Sequence, residues 1–333
     1  LEFYARAIEL QQKHRRPGMQ IHNAIQTNGV LLDDAWGAFL ARNRFLVGLS
    51  VDGPRHLHDA FRMDKRGKPT LDSVMRGRAF LEEHCVEYNI LCTVHAANAA
   101  HGREVYRFFR DQLKVNHIQL IPIVERIGED SVATDRVTGR SVTPEGFGQF
   151  LNDIFDEWVL HDIGTVFVQM FDVALAAWHG EPAGLCVFEE TCGLAMALEH
   201  NGDLYVCDHY VESAHRLGNI ANLSLRALAS SPRQWQFGQE KSSTLPQQCR
   251  ECAVRFACHG GCPKDRFITT EEEGKPLNYL CAGYRAFFHH IDRPMRMMVE
   301  ELRANRAPAN VMHRLRVERM TGHQWPVRSG HRR

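Results

Sequence analysis

The first 130 residues alternate between short apolar runs and longer segments in which apolar residues recur at three- and four-residue spacing. The longer segments predict amphipathic helices, and the short runs predict buried strands. Because strands that alternate with helices form βαβ units, we expect an α/β fold with a parallel sheet. The predicted helices are Phe3–His14, Asp33–Arg42, Thr70–Tyr88 and Gly102–Leu113, with Asp33 and Thr70 as N-caps, and the predicted strands are Met19–Gln26, Phe45–Val51, Ile90–His95 and His117–Ile123.

This sheet is too small to close on itself. The pattern gives about four strands, whereas an eight-stranded (β/α) barrel takes roughly 250 residues. Leu1 already lies inside a helical pattern and has no capping residue before it. We therefore expect a partial (β/α) barrel that lacks its first units, in a chain whose N-terminal portion is missing.

The second half of the chain changes character. Residues 125–142 are polar and predict a loop, and Thr143-Pro144-Glu145 is typical of an N-cap followed by proline in the first turn. Asn201-Gly202 is the strongest short hairpin signal, and we expect it to join Leu194–His200 to Asp203–Cys207. Further helices are predicted from Thr143 to Leu160 and at Phe171–His179, Ser224–Ser230 and Tyr279–Asn305.

These patterns divide the chain into four parts: residues 1–130 for the partial barrel, 131–180 for a helical connection, 181–300 for a cysteine-rich domain and 301–333 for a basic tail. From Arg303 the tail carries eight arginines and three histidines against one acid, Glu318. We expect it to be solvated and partly disordered.

Composition excludes several classes of protein. Lys and Arg number 40 and Asp and Glu number 40, which argues against bulk electrostatic binding to nucleic acid or anionic lipid. No apolar run approaches the roughly 18–20 residues of a membrane span, and no signal peptide opens the chain. We expect a cytoplasmic protein with no nucleic-acid or membrane partner.

Ten cysteines are the unusual feature, and eight of them lie between residues 186 and 281. Clustered thiols without a secretory signal indicate metal ligands rather than disulfides. Eight thiolates make two sites of four, suited either to structural zinc or to iron–sulfur clusters, and the spacing alone does not assign ligands to sites. Cys85 and Cys92 stand apart, and we expect both to be small buried hydrophobes. The eight clustered residues are Cys186, Cys192, Cys207, Cys249, Cys252, Cys258, Cys262 and Cys281.

This spacing resembles the SPASM domain of radical S-adenosylmethionine enzymes, which holds two auxiliary 4Fe–4S clusters. Other segments resemble the anaerobic sulfatase-maturating enzymes within that group, and the resemblance covers about residues 1–300. It favours iron–sulfur over zinc. The segments are Gln26-Thr27-Asn28-Gly29, Val47-Gly48-Leu49-Ser50-Val51-Asp52-Gly53-Pro54, Tyr205-Val206-Cys207-Asp208 and Arg216-Leu217-Gly218-Asn219-Ile220.

The resemblance implies two interleaved ligand sets. The first set is Cys186, Cys192, Cys207 and Cys262, and the second set is Cys249, Cys252, Cys258 and Cys281. The family's C-x3-C-x2-C motif, which binds a third 4Fe–4S cluster, occurs nowhere in the sequence. In the family it lies upstream of the segment that matches Leu1, so we expect these residues alone to be unable to start the radical reaction.

Three residues are candidates for binding S-adenosylmethionine. The carboxyl ends of barrel strands are where parallel α/β barrels build their sites, and Ser50 ends a predicted strand. The resemblance implies that Ser50 and Arg62 contact the cofactor, whose methionyl carboxylate suits a hydroxyl and a guanidinium. It also implies that Ile123 packs on the adenine.

Asp208 is the candidate catalytic residue. It follows Cys207 directly, and a carboxylate beside an anionic cluster is repelled by like charge, which favours uptake of a proton and a general-base role. The resemblance implies that the aspartate here takes the proton from the substrate side chain. His56, His58, His289 and His290 lack carboxylate or cysteine neighbours at ligand spacing, so we expect surface or partly buried imidazoles.

The family resemblance implies an oxidoreductase that converts a Cys or Ser of an unfolded sulfatase segment to Cα-formylglycine. A 5′-deoxyadenosyl radical would take hydrogen from the substrate β-carbon, and the remaining electron would leave through the auxiliary clusters to a protein such as a flavodoxin or ferredoxin. Two alternatives stay open at this point: another SPASM enzyme that modifies a different peptide, and a non-enzymatic binding module stapled by two zinc ions.

Overall fold

A parallel sheet organises the N-terminal half of the molecule. The computed structural model describes residues 1–127, 137–193, 195–272 and 274–321. Within these residues the sheet has five strands in the order β1-β2-β3-β4-β5, and every neighbouring pair is parallel. This confirms the predicted α/β class. The strands are β1 (Ala24–Thr27), β2 (Leu46–Ser50), β3 (Tyr88–Val94), β4 (His117–Pro122) and β5 (Phe167–Val168).

Local sequence signals explain where several helices of this half begin. Asp33 accepts a hydrogen bond from the Trp36 amide at 2.9 Å, and the Thr143 hydroxyl accepts one from the Gly146 amide at 3.1 Å, as their sequence positions predict. The helices are α1 (Glu2–His14), α2 (Asp34–Arg42), α3 (Arg55–His58), α4 (Leu71–Glu83), α5 (Gly102–Arg107), α6 (Pro144–His161) and α7 (Gln169–His179), and a π-helical turn at Phe108–Gln112 follows α5.

Several predicted boundaries are wrong. Thr70 does not cap α4 with its side chain, because its hydroxyl donates to the Arg62 carbonyl and the Asp59 carboxylate accepts from the first amides instead. The helix predicted to reach Tyr88 ends at Glu83, and Cys85 follows in a left-handed conformation with φ 53°. The chain therefore turns before β3. The strand predicted from Met19 begins only at Ala24.

The fifth strand was not predicted. Phe167–Val168 is too short to produce a period, and it forms because the end of α6 returns the chain to β4, where Val168 pairs with Ile118. The segment predicted as a helical connection thus also contributes to the sheet.

Helices α6 and α12 (Cys281–Arg303) pack against each other over much of their length. Their contact is rich in aromatic residues: Phe155 lies edge-on to Phe171 and Phe287, and Phe287 stacks on Phe171 with a centroid distance of 5.8 Å. All three rings are fully buried. This aromatic core joins the sheet half to the helix that begins at Cys281.

The C-terminal half consists of short elements and loops. The hairpin at Asn201-Gly202 is confirmed as an antiparallel pair, and Leu194 lies outside the described residues. Its strands are shorter than predicted, and a third strand pairs with the second. The strands are β6 (Ala197–Leu198), β7 (Asp203–Tyr205), β8 (Arg216–Asn219), β9 (Arg266–Ile268) and β10 (Leu277–Asn278), and the helices besides α12 are α8 (Leu225–Ala229), α9 (Pro232–Ser243), α10 (Gln247–Arg250), α11 (Arg255–Cys258) and α13 (Val311–Met320).

The basic tail is more ordered than we expected. Helix α13 buries Val311 and Leu315 and contacts α6 and α12, so the prediction of a solvated segment is wrong for these residues. Residues 322–333 of the predicted tail lie outside the described part of the chain. Among the helices that are described, none combines the length and apolar character needed to cross a membrane.

Glycines permit the close approach of α6 and α12. A Cβ atom added to Gly148 would lie 2.9 Å from the Gly283 Cα, and one added to Gly283 would overlap the Pro144 carbonyl oxygen. We expect Gly283→Ala to lower the free energy of unfolding by about 1–3 kcal/mol, the usual cost of overpacking. Urea unfolding measures it, with Gly139→Ala as the control because a Cβ there meets nothing within 4 Å. Equal stability of the two variants would contradict this view of the contact.

Candidate functional site

A buried ion pair lies at the carboxyl edge of the sheet. Asp52 follows β2, is only 1% exposed and accepts hydrogen bonds from Arg62 Nε at 2.5 Å and Arg62 Nη2 at 3.1 Å. The Thr93 amide donates to the same carboxylate at 2.8 Å. The Asn98 side chain donates to the Asp52 and Thr93 carbonyls and so ties the two strand ends together. The pair thus holds the Arg62 side chain in one orientation.

The predicted cofactor residues share this edge. Ser50 is the last residue of β2 and pairs with Leu91 of β3. Ile123 follows β4, where its amide donates to the Val94 carbonyl and its carbonyl accepts from the Val142 amide. Because the strands are parallel, Ser50 and Ile123 lie along the same edge of the sheet, and the hydrogen bonds of Arg62 to Asp52 hold its guanidinium there as well. The sequence placed Ser50 and Ile123 correctly at strand ends and named Arg62 only from the family resemblance; it assigned no role to Asp52.

A buried histidine supports the ion pair. His58 is fully buried and its Nδ1 accepts a hydrogen bond from the Asp52 amide at 3.3 Å. The Thr70 hydroxyl donates to the Arg62 carbonyl, so it accepts from His58 Nε2 at 3.3 Å. His58 is therefore a neutral imidazole with its proton on Nε2. Burial lowers its pKa to about 4, and burial also lowers the pKa of His95 beside it.

None of the ten cysteines, all of which are described, forms a disulfide. Cys92 is buried as predicted, but the prediction for Cys85 is wrong: its side chain is exposed at the turn after α4, and Val86 occupies the buried position. The other eight are drawn from loops and element ends. Cys207 follows β7, Cys258 ends α11 and Cys281 begins α12.

The eight cysteines fall into two groups by their mutual electrostatic influence. Burial is the main cause that raises the pKa of Cys207 and of Cys262 to about 12, and the charges of neighbouring thiols add to it. The negative charge of Cys186 raises the pKa of Cys192 and of Cys207, and the charges of those two raise the pKa of Cys262.

The second group is assembled in the same way. Burial raises the pKa of Cys258 to about 12 and that of Cys281 to about 11. Negative charges on Cys249 and Cys252 raise both pKa values further, and the charge of Cys281 also raises the pKa of Cys258. The four also line one cavity of about 340 Å³, together with Tyr284 and other residues. Four convergent thiols around a cavity of this size fit an iron–sulfur cluster.

Asp208 lies at the first group. Its Oδ1 accepts a hydrogen bond from Cys207 Sγ at 3.1 Å, and the side chain is exposed. The adjacent His209 Nδ1 lies 3.5 Å from Cys262 Sγ. A carboxylate that contacts a thiol of the group and also faces solvent can exchange a proton with a molecule that docks there.

The sequence missed some residues and misread one histidine. His56 is exposed and His290 partly buried, as predicted, although in space His56 Nε2 lies 3.5 Å from Glu104 and His290 Nε2 lies 2.6 Å from Asp156. The same prediction is wrong for His58, which is fully buried because its ring accepts a hydrogen bond from the Asp52 amide inside the fold. Lys241 and Arg266 are buried next to the cysteines, although no pattern in the sequence indicates this for either. Asp52 was detectable, since it follows a predicted strand directly.

Comparisons with known proteins agree with this geometry. Residues 186–253 match the SPASM family model, described as an iron–sulfur cluster-binding domain. The chain is 44% identical over 330 residues to the serine-type anaerobic sulfatase-maturating enzyme of Bacteroides thetaiotaomicron, covering 95% of this chain and 78% of the relative. It is 33% identical to the cysteine-type enzyme of Clostridium perfringens strain 13, covering 87% of this chain and 77% of the relative.

The solved structure described as "Native anSMEcpe with bound AdoMet and Cp18Cys peptide" superimposes with a TM-score of 0.80 at 31% identity, covering 91% of this chain and 82% of that one. The fold and the cysteine groups thus define a radical S-adenosylmethionine enzyme with an iron–sulfur SPASM domain. The chain belongs to the family of anaerobic sulfatase-maturating enzymes. This assignment replaces the alternative hypothesis of a non-enzymatic binding module stapled by zinc ions.

The buried His58 makes stability depend on pH. Its pKa is 6.5 in the unfolded chain and about 4 in the folded one, so the unfolded state binds more protons between these values. Stability therefore falls as the pH falls, by about 2 kcal/mol from pH 7.5 to pH 5. His58→Asn keeps an acceptor for the Asp52 amide and should flatten this slope in urea unfolding. His200→Asn, in a side chain that is 92% exposed, should keep the slope; parallel slopes in all three proteins would contradict the assignment.

Proposed function

We propose that this enzyme converts a Ser or Cys side chain of an unfolded sulfatase segment to Cα-formylglycine. The observation that carries the proposal is the contact of Asp208 with Cys207, at the edge of a group of four cysteines, in a chain of the sulfatase-maturating family. The relative whose structure contains a peptide has the same fold. The family relationship favours this reaction over the modification of another kind of peptide.

The two cysteine groups are the proposed ligands of two 4Fe–4S clusters. The first set is Cys186, Cys192, Cys207 and Cys262, and the second is Cys249, Cys252, Cys258 and Cys281. Their mutual charge effects follow the same division. Thiolate-only donor sets are typical of iron–sulfur clusters, so the residues present fit the group that the family implies.

Ser50, Arg62 and Ile123 are the proposed contacts of S-adenosylmethionine. Asp52 occupies Arg62 Nε and Nη2, and Nη1 has no partner among the residues that the structure describes. A guanidinium held in this way offers its remaining face to a carboxylate. Ser50 supplies a hydroxyl on the same edge, and Ile123 supplies an apolar surface for the adenine.

When bound, S-adenosylmethionine and the clusters supply the radical that removes hydrogen from the substrate β-carbon and the route by which the electron leaves to a flavodoxin or ferredoxin. The chain's own part is to hold the peptide and to move a proton. Asp208 takes the proton from the substrate hydroxyl or thiol. The C-x3-C-x2-C motif is not among these 333 residues, so we expect turnover only from a polypeptide that also contains it.

The cofactor content is tested first. Prepared without oxygen, the chain should hold about eight irons and eight sulfides, the content of two 4Fe–4S clusters with four thiolates each. Cys252→Ala should lower the iron content by about half or more, because it removes one proposed ligand. Cys85→Ala is the matched control, since that thiol is exposed and outside both groups. About two zincs and no sulfide would overturn the proposal.

The catalytic role is tested by Asp208→Asn in a polypeptide that contains the three-cysteine motif. Loss of a general base should slow formylglycine formation by about 10²–10⁴-fold, while S-adenosylmethionine binding and iron content stay unchanged. Mass spectrometry of Ser-type and Cys-type sulfatase peptides measures the product. Glu212→Gln, which neutralises an exposed carboxylate beside His215, should leave the rate unchanged. Equal rates for Asp208→Asn and Glu212→Gln would contradict the role of Asp208.

A further inference from the structure

In the part of the chain that the structure describes, two cations are buried among the cysteines without an acidic partner. The Lys241 residue is 1% exposed and Arg266 is 8% exposed. Across residues 137–193, 195–272 and 274–321, neither forms an ion pair with a carboxylate. Burying a charge without a counter-charge is costly, so such residues are rare unless something compensates them.

Lys241 lies on the inner face of α9 and points at the start of the first cysteine set. Its ammonium donates to the Cys186 carbonyl at 2.6 Å and to the Val187 carbonyl at 3.0 Å. These bonds satisfy two of the three ammonium hydrogens but bring no negative charge. Lys241 is therefore held against a proposed cluster ligand by neutral partners alone.

Arg266 lies between the two sets. Its guanidinium donates to the carbonyls of His259, Gly260 and Gly261, which form the loop from Cys258 of the second set to Cys262 of the first. The loop is shaped around it, since a Cβ atom on Gly260 would lie 2.8 Å from Arg266 Nη2. The arginine is thus fixed at the junction of both sets.

The nearest other charges do not neutralise the pair. Arg266 Nη1 donates to the Lys241 carbonyl at 2.6 Å, so the two cations are neighbours and repel each other. Asp265 precedes Arg266 in the sequence and is buried, but it pairs with neither cation among the described residues, and burial raises its pKa to about 6. Burial lowers the pKa of both cations, and the negative groups that oppose this effect most are cysteines.

The two cations interact electrostatically with different cysteines. The cysteines whose charges favour the protonated form of Lys241 are Cys192, Cys262 and Cys186, all of the first set. Those that favour the protonated form of Arg266 belong to both sets: Cys249 and Cys258 to the second, and Cys192 and Cys262 to the first.

We propose that Lys241 and Arg266 are the fixed counter-charges of the two iron–sulfur clusters and raise their reduction potentials, with Arg266 acting on both and Lys241 mainly on the cluster of the first set. The inference rests on the proposed cofactor content. A cluster held by four thiolates is anionic, and its reduction adds one more negative charge, which a nearby cation stabilises. In a low-dielectric interior this effect is screened far less than at the surface.

The test is a potentiometric titration with dithionite, followed by electron paramagnetic resonance, on reconstituted chain whose iron and sulfide are counted. Arg266→Gln should move both midpoint potentials to more negative values, by at least a tenfold change in the reduction equilibrium, or about 59 mV for one electron. Lys241→Met should move mainly one midpoint. Arg226→Gln, which removes an exposed cation of the same domain, should move neither.

Charge-conserving variants separate charge from packing. Arg266→Lys and Lys241→Arg should restore most of each shift, and loss of iron confined to the charge-removing variants would support the same conclusion. The inference is overturned if fully loaded Arg266→Gln and Lys241→Met titrate like Arg226→Gln, or if the charge-conserving variants shift or lose iron as much as the charge-removing ones. A parent chain without iron would instead overturn the proposed cofactor content.

Discussion

The backbone contact between Gly148 on α6 and Gly283 on α12 fixes the second cysteine group relative to the sheet. Because neither residue has a side chain, the two helices approach closely enough for Phe155 and Phe287 to meet in one aromatic core. Helix α12 begins at Cys281, two residues before the contact. The last proposed ligand is therefore carried by a helix that packs closely against α6, whereas its partners lie on short helices and loops. A site gains precision when one ligand is held rigidly in this way.

The two halves of the molecule differ in whether a buried cation has a carboxylate partner. At the sheet edge, Arg62 meets Asp52 directly and His58 stays neutral, so this edge is electrostatically complete in the polypeptide alone. In the cysteine domain, the hydrogen bonds that the structure describes for the Lys241 and Arg266 side chains go to backbone carbonyls and to the Thr244 hydroxyl, none of which carries a charge. The domain therefore carries buried positive charge that an anionic cofactor would neutralise. Folding of this half and cofactor binding are expected to be coupled for that reason.

Much of the fold follows from patterns that a single segment carries. The hairpin at Asn201-Gly202 and the helix start at Thr143 were predictable because their side chains and backbone needs are local. Strand β5 was not, since two residues form a strand only when a neighbour supplies the hydrogen bonds. Lys241 was not either: on an amphipathic helix a lysine indicates the solvent face, and only tertiary packing reverses this. The prediction for Cys85 was wrong for a related reason: α4 ends at Glu83, so the helical period that would have placed Cys85 on the buried face does not extend to it.

The interleaved order of the proposed ligand sets has a consequence for how the domain is held together. Cys262 of the first set follows Cys249, Cys252 and Cys258 of the second, and Cys281 comes after it. Closing the first set ties Cys207 to Cys262, so the second set's first three ligands then sit inside an already closed loop. Closing the loop from Cys207 to Cys262 lowers the conformational entropy of the segment that carries these three ligands. Bringing them together at the second site then costs less entropy, because shorter loops remain to be closed. Arg266 strengthens this coupling, because it holds the short segment between Cys258 and Cys262 by its carbonyls. The two clusters are thus joined both by chain connectivity and by one shared cation, which is a physical basis for loading and reducing them together.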